Sequence, residues 1–142
     1  MQQSTISMIT LGVVDLDRSV AFYTALGWQD SKHSQPQVKF LQGHNIVLGL
    51  FGMEDLAKDA NCTSAGDGFG NFVLSANQTS KENVDVFHQR ALDAGATSLK
   101  EPGETFWGGY ASHIQDFDGH VWEVAYNPFC AIDKYGVLDL DS

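Results

Sequence analysis

Apolar residues recur with helical spacing in two segments, and each segment follows a short strand-like run. The first helix is predicted over residues 15–26, after the run Met8–Val14, and Asp15 or Asp17 can cap it. Gly27 follows the helix and predicts its end. Its apolar face consists of Val20, Tyr23 and Leu26. The pattern therefore predicts a βα unit near the start of the chain.

A second βα unit is predicted in the other half of the chain. The strand-like run Asn71–Ala76 precedes a capping-box pattern at Thr79–Glu82, and Gly95 predicts the end of the helix. The apolar stripe of this helix consists of Val84, Phe87, Ala91 and Leu92.

Short strands and a Gly-His turn follow each helix, so a β-α-β-β-β order occurs twice. The turns Gly43-His44 and Gly119-His120 lie 76 residues apart. The order predicts an α+β fold in a single domain, residues 1–142, in which the two βαβββ modules enclose a cleft. Its parts are module one at 5–52, a linker with room for a short helix at 53–70, module two at 71–128 and a tail at 129–142. The tail is compatible with an edge strand or with a cover over the cleft.

Composition and charge restrict the classes of function that this chain can have. The 142 residues include 43 % hydrophobic ones, enough for one core, and the net charge is −10. The eight Lys and Arg residues are scattered, which argues against binding to nucleic acid or to an anionic membrane. No stretch reaches the roughly 20 apolar residues of a membrane span, and no secretory signal is recognisable, so we expect a cytoplasmic protein. Cys62 and Cys130 are then expected to be free thiols.

Three segments resemble the glyoxalase / bleomycin-resistance / extradiol-dioxygenase superfamily, also called the vicinal oxygen chelate (VOC) superfamily. They are VVDLDRSVAFYTALGW, VDVFHQRALDAGAT and WGGYASHIQDFDGHVWEVAYNP, at residues 13–28, 84–97 and 107–128. The resemblance implies βαβββ modules that pair into a partly open, barrel-like cup, in a homodimer. It also implies one divalent metal held by side chains from the first and last strands of each module.

The four metal-ligand positions implied by this resemblance are mostly filled by poor ligands. They correspond to Met8, to Val47 or Leu48, to Asn71 and to Glu123. Metal sites of this kind need at least three protein donors, and Glu123 alone is a good one. We therefore expect no bound metal and no other cofactor.

Two histidines near Glu123 are candidates for additional donors. His120 stands three residues from Glu123, so along a strand the two side chains point to opposite faces, and His120 is better explained as a turn residue after Asp118-Gly119. The direction of His113 depends on the turn. A two-residue loop would place it opposite Val124 and outside the cup, and a three-residue loop opposite Ala125 and inside.

The predicted ligand-binding positions combine an apolar floor with aromatic residues at the mouth of the cup. They are Met8, Leu48, Asn71, Trp107, Tyr110, His113 and Glu123. Glu123 is the only catalytic candidate. Burial of a carboxylate requires a partner, so Glu123 is interpreted as an anchor for a ligand amine or hydroxyl, as a relic held by a hydrogen bond, or as a general base.

The leading hypothesis is a protein that binds a small apolar or aromatic molecule in the cup without a metal. One alternative is a metal-dependent lyase, isomerase or dioxygenase of the same superfamily. The other is a non-catalytic dimeric protein that acts through its interaction surface.

Overall fold

The computed structural model describes residues 6–62 and 70–140. Chain contacts divide the protein into two compact units, residues 1–66 and 67–142. The first unit contains β1 (Met8–Val13), α1 (Leu16–Ala25), β2 (Gln29–Asp30), β3 (Val38–Gln42), β4 (Val47–Gly52) and α2 (Met53–Asp59). The second contains β5 (Leu74–Asn77), α3 (Lys81–Asp93), β6 (Thr97–Glu104), β7 (Tyr110–Gln115), β8 (Val121–Tyr126), β9 (Ala131–Ile132) and β10 (Leu138–Asp139).

The first unit is a four-stranded sheet of order β1-β4-β3-β2, in which β1 and β4 are parallel and the other pairs antiparallel. Alternate residues of the strands pack with α1, because successive side chains of a strand point to opposite faces. The fully buried residues of this core are Leu11, Val13, Phe22, Tyr23, Leu41, Leu48 and Leu50. Asp15 caps α1, since its carboxylate accepts a hydrogen bond from the Arg18 amide.

The second unit repeats this arrangement. Its main sheet has the order β5-β8-β7-β6, with β5 and β8 parallel and the other pairs antiparallel. The helix α3 packs on one face, where Val84, Ile114 and Val124 are fully buried. The predicted α+β fold of two βαβββ modules is therefore confirmed.

The start of α3 differs from the predicted capping box. Ser80, and not Thr79, is the N-cap residue, and its hydroxyl accepts a hydrogen bond from the Asn83 amide. Both residues have suitable hydroxyls, and the extended backbone of Ser80 decides the position of the cap.

The linker and the tail contain the remaining elements. The short helix expected in the linker is α2, while residues 63–69 of the linker lie outside the described residues. The tail forms its own hairpin, β9 with β10, and Gly136 packs against the carbonyl oxygen of Asn77 at the end of β5. Cys62 and Cys130 are free thiols. None of the helices within residues 6–62 and 70–140 is long and apolar enough to span a lipid bilayer.

Candidate functional site

The main sheet of the second unit has a face turned away from α3, and Glu123 lies on it. Trp122 and Val124 point to the helix side, where they are buried, so the alternation along β8 puts Glu123 and Ala125 on the opposite face. We call this surface the module-two open face. This orientation of Glu123 agrees with the sequence analysis.

Four polar residues form one row across the module-two open face. The register pairs Ser75 with Glu123, Glu123 with His113 and His113 with Lys100, so each of the four strands contributes one side chain. Residues that are directly opposite in a sheet project to the same side, with Cβ atoms about 5 Å apart. We call Ser75, Glu123, His113 and Lys100 the polar row.

Both oxygens of the Glu123 carboxylate have a neighbour within the polar row. The Ser75 hydroxyl donates a hydrogen bond to Glu123 Oε1 over 3.3 Å. His113 Nε2 lies 3.9 Å from Glu123 Oε2, which is an ion-pair contact when the imidazole is protonated. The side chains of Glu123 and His113 are 29 % and 30 % exposed, so both groups are partly desolvated and still accessible.

The register of His113 differs from both registers that the sequence suggested. His113 pairs with Glu123, and not with Val124 or Ala125. The amide of Asp116 donates to the carbonyl of His120, which closes the hairpin and sets this register. Both expected positions of His113 are therefore wrong, whereas the placement of this histidine on the face of Glu123 follows from the observed pairing.

His120 is a turn residue, as the sequence predicted. Asp116 organises the turn, because its carboxylate accepts hydrogen bonds from the amides of Asp118 and His120. Gly119 has a φ of 88°, a left-handed conformation that glycine adopts without strain. The turn thus fixes the pairing of β7 with β8 and, with it, the approach of His113 to Glu123.

Tyr110 and Asn71 are predicted site residues of the second unit that lie outside the polar row. Tyr110 is on the helix side of the sheet, where its hydroxyl donates a hydrogen bond to Asp85 of α3 over 2.7 Å. This bond raises the pKa of the Tyr110 hydroxyl above its ordinary value. Asn71 is exposed, has a φ of 65° and precedes β5, so it contributes no inward-pointing strand residue. The structure thus separates Tyr110 and Asn71 from Glu123.

Trp107 and Phe106 lie in the turn between β6 and β7. The Trp107 ring packs directly on Gly109, where a Cβ atom would overlap it, and Gly109 donates its amide hydrogen bond to the Thr105 hydroxyl. Phe106 is fully exposed and packs on no core residue. A Cβ atom at position 109 would therefore require the indole to move.

The first sheet has a corresponding face turned away from α1, and it is mainly apolar. Met8 and Val47 are register partners on this face, together with Phe40 and Gln42 of β3. Leu48 points the other way, into the core with α1, and is 1 % exposed. Its predicted place in the ligand pocket is therefore wrong, and Val47, the alternative at that position, lies on the open face.

A recess of about 250 Å³ lies on this module-one open face. Its lining consists of Met8, Ser31, His33, Phe40, Gln42 and Val47. Apolar groups form most of its surface, and the polar groups are a hydroxyl, an amide and an imidazole, which is the usual composition of a small-molecule pocket. Met8 was predicted to line a ligand pocket, whereas His33 was not.

The residues at the implied metal-ligand positions do not fit a divalent metal. Within the described ranges, no group of three or more His, Cys, Asp or Glu side chains is placed to hold a metal ion. The second unit has Glu123 at the implied position of its last strand, whereas the corresponding positions of the first unit, Val47 and Leu48, have no donor side chain. One carboxylate and one histidine are fewer than the three donors that such sites require.

The comparisons with known proteins agree with this architecture. The sequence pattern of the Glyoxalase/Bleomycin resistance protein/Dioxygenase superfamily matches residues 5–124. No curated protein sequence matches the chain.

Solved structures resemble the fold over nearly the whole chain. A glyoxalase-related enzyme from Fulvimarina pelagi is 28 % identical, with a TM-score of 0.89 over 99 % of this chain and 100 % of that one. A family enzyme from Burkholderia phytofirmans PsJN is 23 % identical, with a TM-score of 0.77 over 87 % and 98 %. A lactoylglutathione lyase from Agrobacterium tumefaciens is 23 % identical, with a TM-score of 0.69 over 89 % and 96 %, and at this identity the similarity shows the fold alone.

Proposed function

The chain belongs to the Glyoxalase/Bleomycin resistance protein/Dioxygenase superfamily, and from this premise we propose that it binds a small apolar or aromatic molecule without a bound metal. The apolar recess on the module-one open face carries the proposal. Met8, Phe40 and Val47 supply its apolar surface, and a volume of about 250 Å³ suits a compact molecule of one ring.

The absence of a suitable donor set supports the second part of the proposal. The residues at the expected ligand positions are a thioether, an aliphatic side chain and an amide, besides Glu123. Hard divalent metals are poorly held by such a set, because they require several oxygen or imidazole donors that converge. Glu123 also has neighbours in Ser75 and His113, so its position in the sheet needs no metal.

Metal analysis tests the metal-free character. The protein should be produced with Zn, Ni, Mn or Fe in the medium, purified, and analysed by mass spectrometry of the metal content. We expect substoichiometric metal in every preparation and an unchanged melting temperature after treatment with a chelator. One tightly bound metal per chain, lost in Glu123→Ala but retained in Glu82→Ala, would establish the metal-dependent alternative instead. Glu82 is a suitable control because it is an exposed carboxylate of α3.

A thermal-shift screen with aromatic and cationic compounds tests ligand binding. A ligand that prefers the folded state raises the melting temperature, and at 100 times its Kd it adds about 2.7 kcal/mol of stability. We expect stabilising compounds among single-ring molecules, and we expect Val47→Lys to abolish the effect by placing a charge in the recess. Val86→Lys is the matched control, since Val86 is an exposed residue of α3.

Two results of this screen would contradict the proposal. A panel without any stabilising compound would favour the non-catalytic interaction protein. Stabilisation that persists in Val47→Lys would place the ligand outside the recess.

A further inference from the structure

We propose that the recess on the module-one open face selects neutral single-ring molecules that carry a carboxamide, and that Gln42 determines this specificity. The inference rests on the proposed function, since it concerns the same recess. It goes further by naming the chemical class of the ligand and the residue that distinguishes it from charged molecules of the same shape.

The apolar side of the recess is built on two neighbouring strands. Phe40 and Gln42 lie on the same face of β3, because Leu41 between them is fully buried on the helix side. Val47 of β4 is the register partner of Gln42. A ring that lies on Phe40 and Val47 therefore has the Gln42 amide beside it.

The polar rim of the recess belongs to the loop between β2 and β3, and hydrogen bonds fix this loop to β3. The amide of Ser31 donates to the carbonyl of Phe40 over 2.8 Å. The Ser34 hydroxyl accepts from the Phe40 amide over 2.9 Å and donates to the Asp30 carboxylate over 2.6 Å. The amide of His33 donates to the Ser31 hydroxyl oxygen over 3.0 Å. The Ser31 hydroxyl and the His33 ring thus have defined positions at the recess.

The three polar side chains of the lining have hydrogen-bonding capacity to spare. Within residues 6–62 and 70–140, the Ser31 hydroxyl hydrogen has no acceptor and the His33 ring has no hydrogen-bond partner. The Gln42 Nε2 donates to the Gly43 carbonyl over 2.8 Å, which leaves Gln42 Oε1 as an acceptor. The recess therefore offers one donor, one acceptor and an imidazole that can serve as either.

The lining contains no carboxylate, ammonium or guanidinium group among the described residues. The Asp30 carboxylate of β2 is bound by the Ser34 hydroxyl, and Lys32 lies in the loop without lining the recess. A cationic ligand would thus have no counter-charge in the lining, and an anionic one would approach a chain with a net charge of −10. These charges favour a neutral ligand.

A carboxamide on a ring matches this donor and acceptor pattern. Its carbonyl oxygen accepts from the Ser31 hydroxyl and from the His33 N–H, while its NH₂ group donates to Gln42 Oε1. A carboxylate of the same shape has no hydrogen for Gln42, and an amidinium has no acceptor for Ser31. Each mismatch leaves a desolvated polar group unpaired, which is the usual basis of discrimination between isosteric ligands.

The test compares benzamide, benzoate and benzamidinium, which share the ring and the planar shape and differ in charge and in donor pattern. Their Kd values are measured by NMR titration at pH 8, where free imidazole groups are neutral, with a metal chelator present. We expect the wild-type protein to bind benzamide most tightly. Ser31→Ala should weaken benzamide by about 3- to 10-fold, the range for one neutral hydrogen bond.

Gln42→Glu is the decisive variant, because it places a carboxylate where the amide acceptor was. We expect it to tighten benzamidinium by about tenfold, as a charge-assisted hydrogen bond does, so that benzamidinium becomes the preferred ligand. Gln37→Glu is the matched control. It makes the same change of charge at an exposed position of the same loop that does not line the recess, and it should retain the preference for benzamide.

Three outcomes would overturn the inference. They are equal or undetectable binding of the three compounds, wild-type preference for a charged one, or an equal gain of benzamidinium affinity in Gln37→Glu and Gln42→Glu. Melting temperatures show whether Ser31→Ala is folded, and Gln42→Glu carries the test if it is not. The proposed function fails separately, because it requires only that some single-ring compound stabilises the protein and that Val47→Lys removes the effect.

Discussion

Tyr110 and Lys81 show how individual residues join the second sheet to α3. The Tyr110 hydroxyl donates to Asp85, and the Lys81 ammonium donates to Glu104 at 2.8 Å and lies 5.7 Å from the centre of the Tyr110 ring. The bond to Glu104 raises the pKa of Lys81, as the bond to Asp85 raises the pKa of Tyr110. Both contacts lie on the helix side of the sheet, away from the polar row.

The pH dependence of stability should reveal these contacts. The pKa of each group is higher in the folded state than in the unfolded state, where it is about 10 for both residues. The contribution of each group to the stability of the fold is therefore complete below the unfolded pKa, and it is lost as the pH rises through the folded pKa. We therefore expect Tyr110→Phe to lower the melting temperature slightly at pH 8 and to have a smaller effect at pH 11. Thermal unfolding followed by circular dichroism measures the difference. A constant effect at both pH values would contradict the assignment, and Tyr135→Phe is a control in an exposed tail residue.

His88 is the largest departure from the sequence analysis at the residue scale. It was not among the residues predicted for the apolar stripe of α3, yet its side chain is 3 % exposed and bonds to two hydroxyls. Nδ1 lies 2.9 Å from the Ser112 hydroxyl, and Nε2 lies 3.0 Å from the Ser98 hydroxyl. His88 lies between Val84 and Ala91 on the buried face of α3. Its hydrogen-bond partners, however, come from the strands β6 and β7. Helical periodicity therefore could have predicted the burial, whereas the hydrogen bonds were not visible in the sequence.

Removal of His88 should leave Ser112 without its partner in the core. Ser112 is fully buried, and an unsatisfied buried hydroxyl costs about 1–3 kcal/mol. We expect His88→Leu to lower the free energy of unfolding by about 2–3 kcal/mol, and the double variant with Ser112→Ala to lose less than the sum of the two single variants. Urea unfolding of the four proteins measures this coupling. Additive losses would show that the two side chains do not stabilise each other.

At the scale of elements, glycines end both long helices, as the sequence predicted. Gly27 after α1 and Gly95 after α3 have φ values of 104° and 115°, where side-chain-bearing residues are strained. Their surroundings differ. A Cβ atom on Gly27 would meet nothing within 4 Å, whereas one on Gly95 would lie 2.4 Å from the ring of Phe117. The sequence predicted the helix ends but not this contact with the β7–β8 turn.

The two glycines allow strain and steric overlap to be separated. Gly27→Ala should cost about 1–2 kcal/mol, the usual penalty for an alanine in the left-handed region. Gly95→Ala should cost more, because the Phe117 ring must also move. In a Phe117→Ala background the two glycine substitutions should have similar costs. Chemical unfolding measures the cost of each glycine substitution in both backgrounds, and an equal cost in the wild-type background would mean that the ring moves freely.

The strand pairing shows where prediction from sequence reaches its limit. Strand and helix order follow from local periodicity and turn residues, so both βαβββ modules were predictable. The side of the sheet on which a residue lies depends on register, and register depends on the number of residues in each turn. A difference of one residue in register places Leu48 in the core and not in the expected pocket. The same uncertainty of one residue meant that the sequence alone could not determine the direction of His113.

At the scale of the whole molecule, the duplicated plan has been filled with different side chains. The module-one open face is mostly apolar, with Met8, Phe40 and Val47, while the module-two open face has the polar row. The family resemblance predicted four equivalent metal positions, but neither module supplies a donor set in the described residues. The side chains on the two open faces are not determined by the common architecture, which is why the fold was predictable and the polar row was not.

The charge of the whole chain predicts how its stability depends on salt. With 18 acidic residues against eight basic ones, the net charge of −10 produces mutual repulsion that is greatest in the compact folded state. Salt screens this repulsion, since the Debye length falls from about 30 Å at 0.01 M to about 8 Å at 0.15 M.

We expect the melting temperature at pH 7 to rise by about 2–5 °C between these concentrations, which corresponds to about 1 kcal/mol for a protein of this size. Thermal unfolding in sodium chloride and in choline chloride measures the rise. A similar increase in both salts would indicate screening, because the two cations differ in size and in direct binding to carboxylates. A fall in both salts would mean that favourable ion pairs outweigh the repulsion among the excess acidic residues.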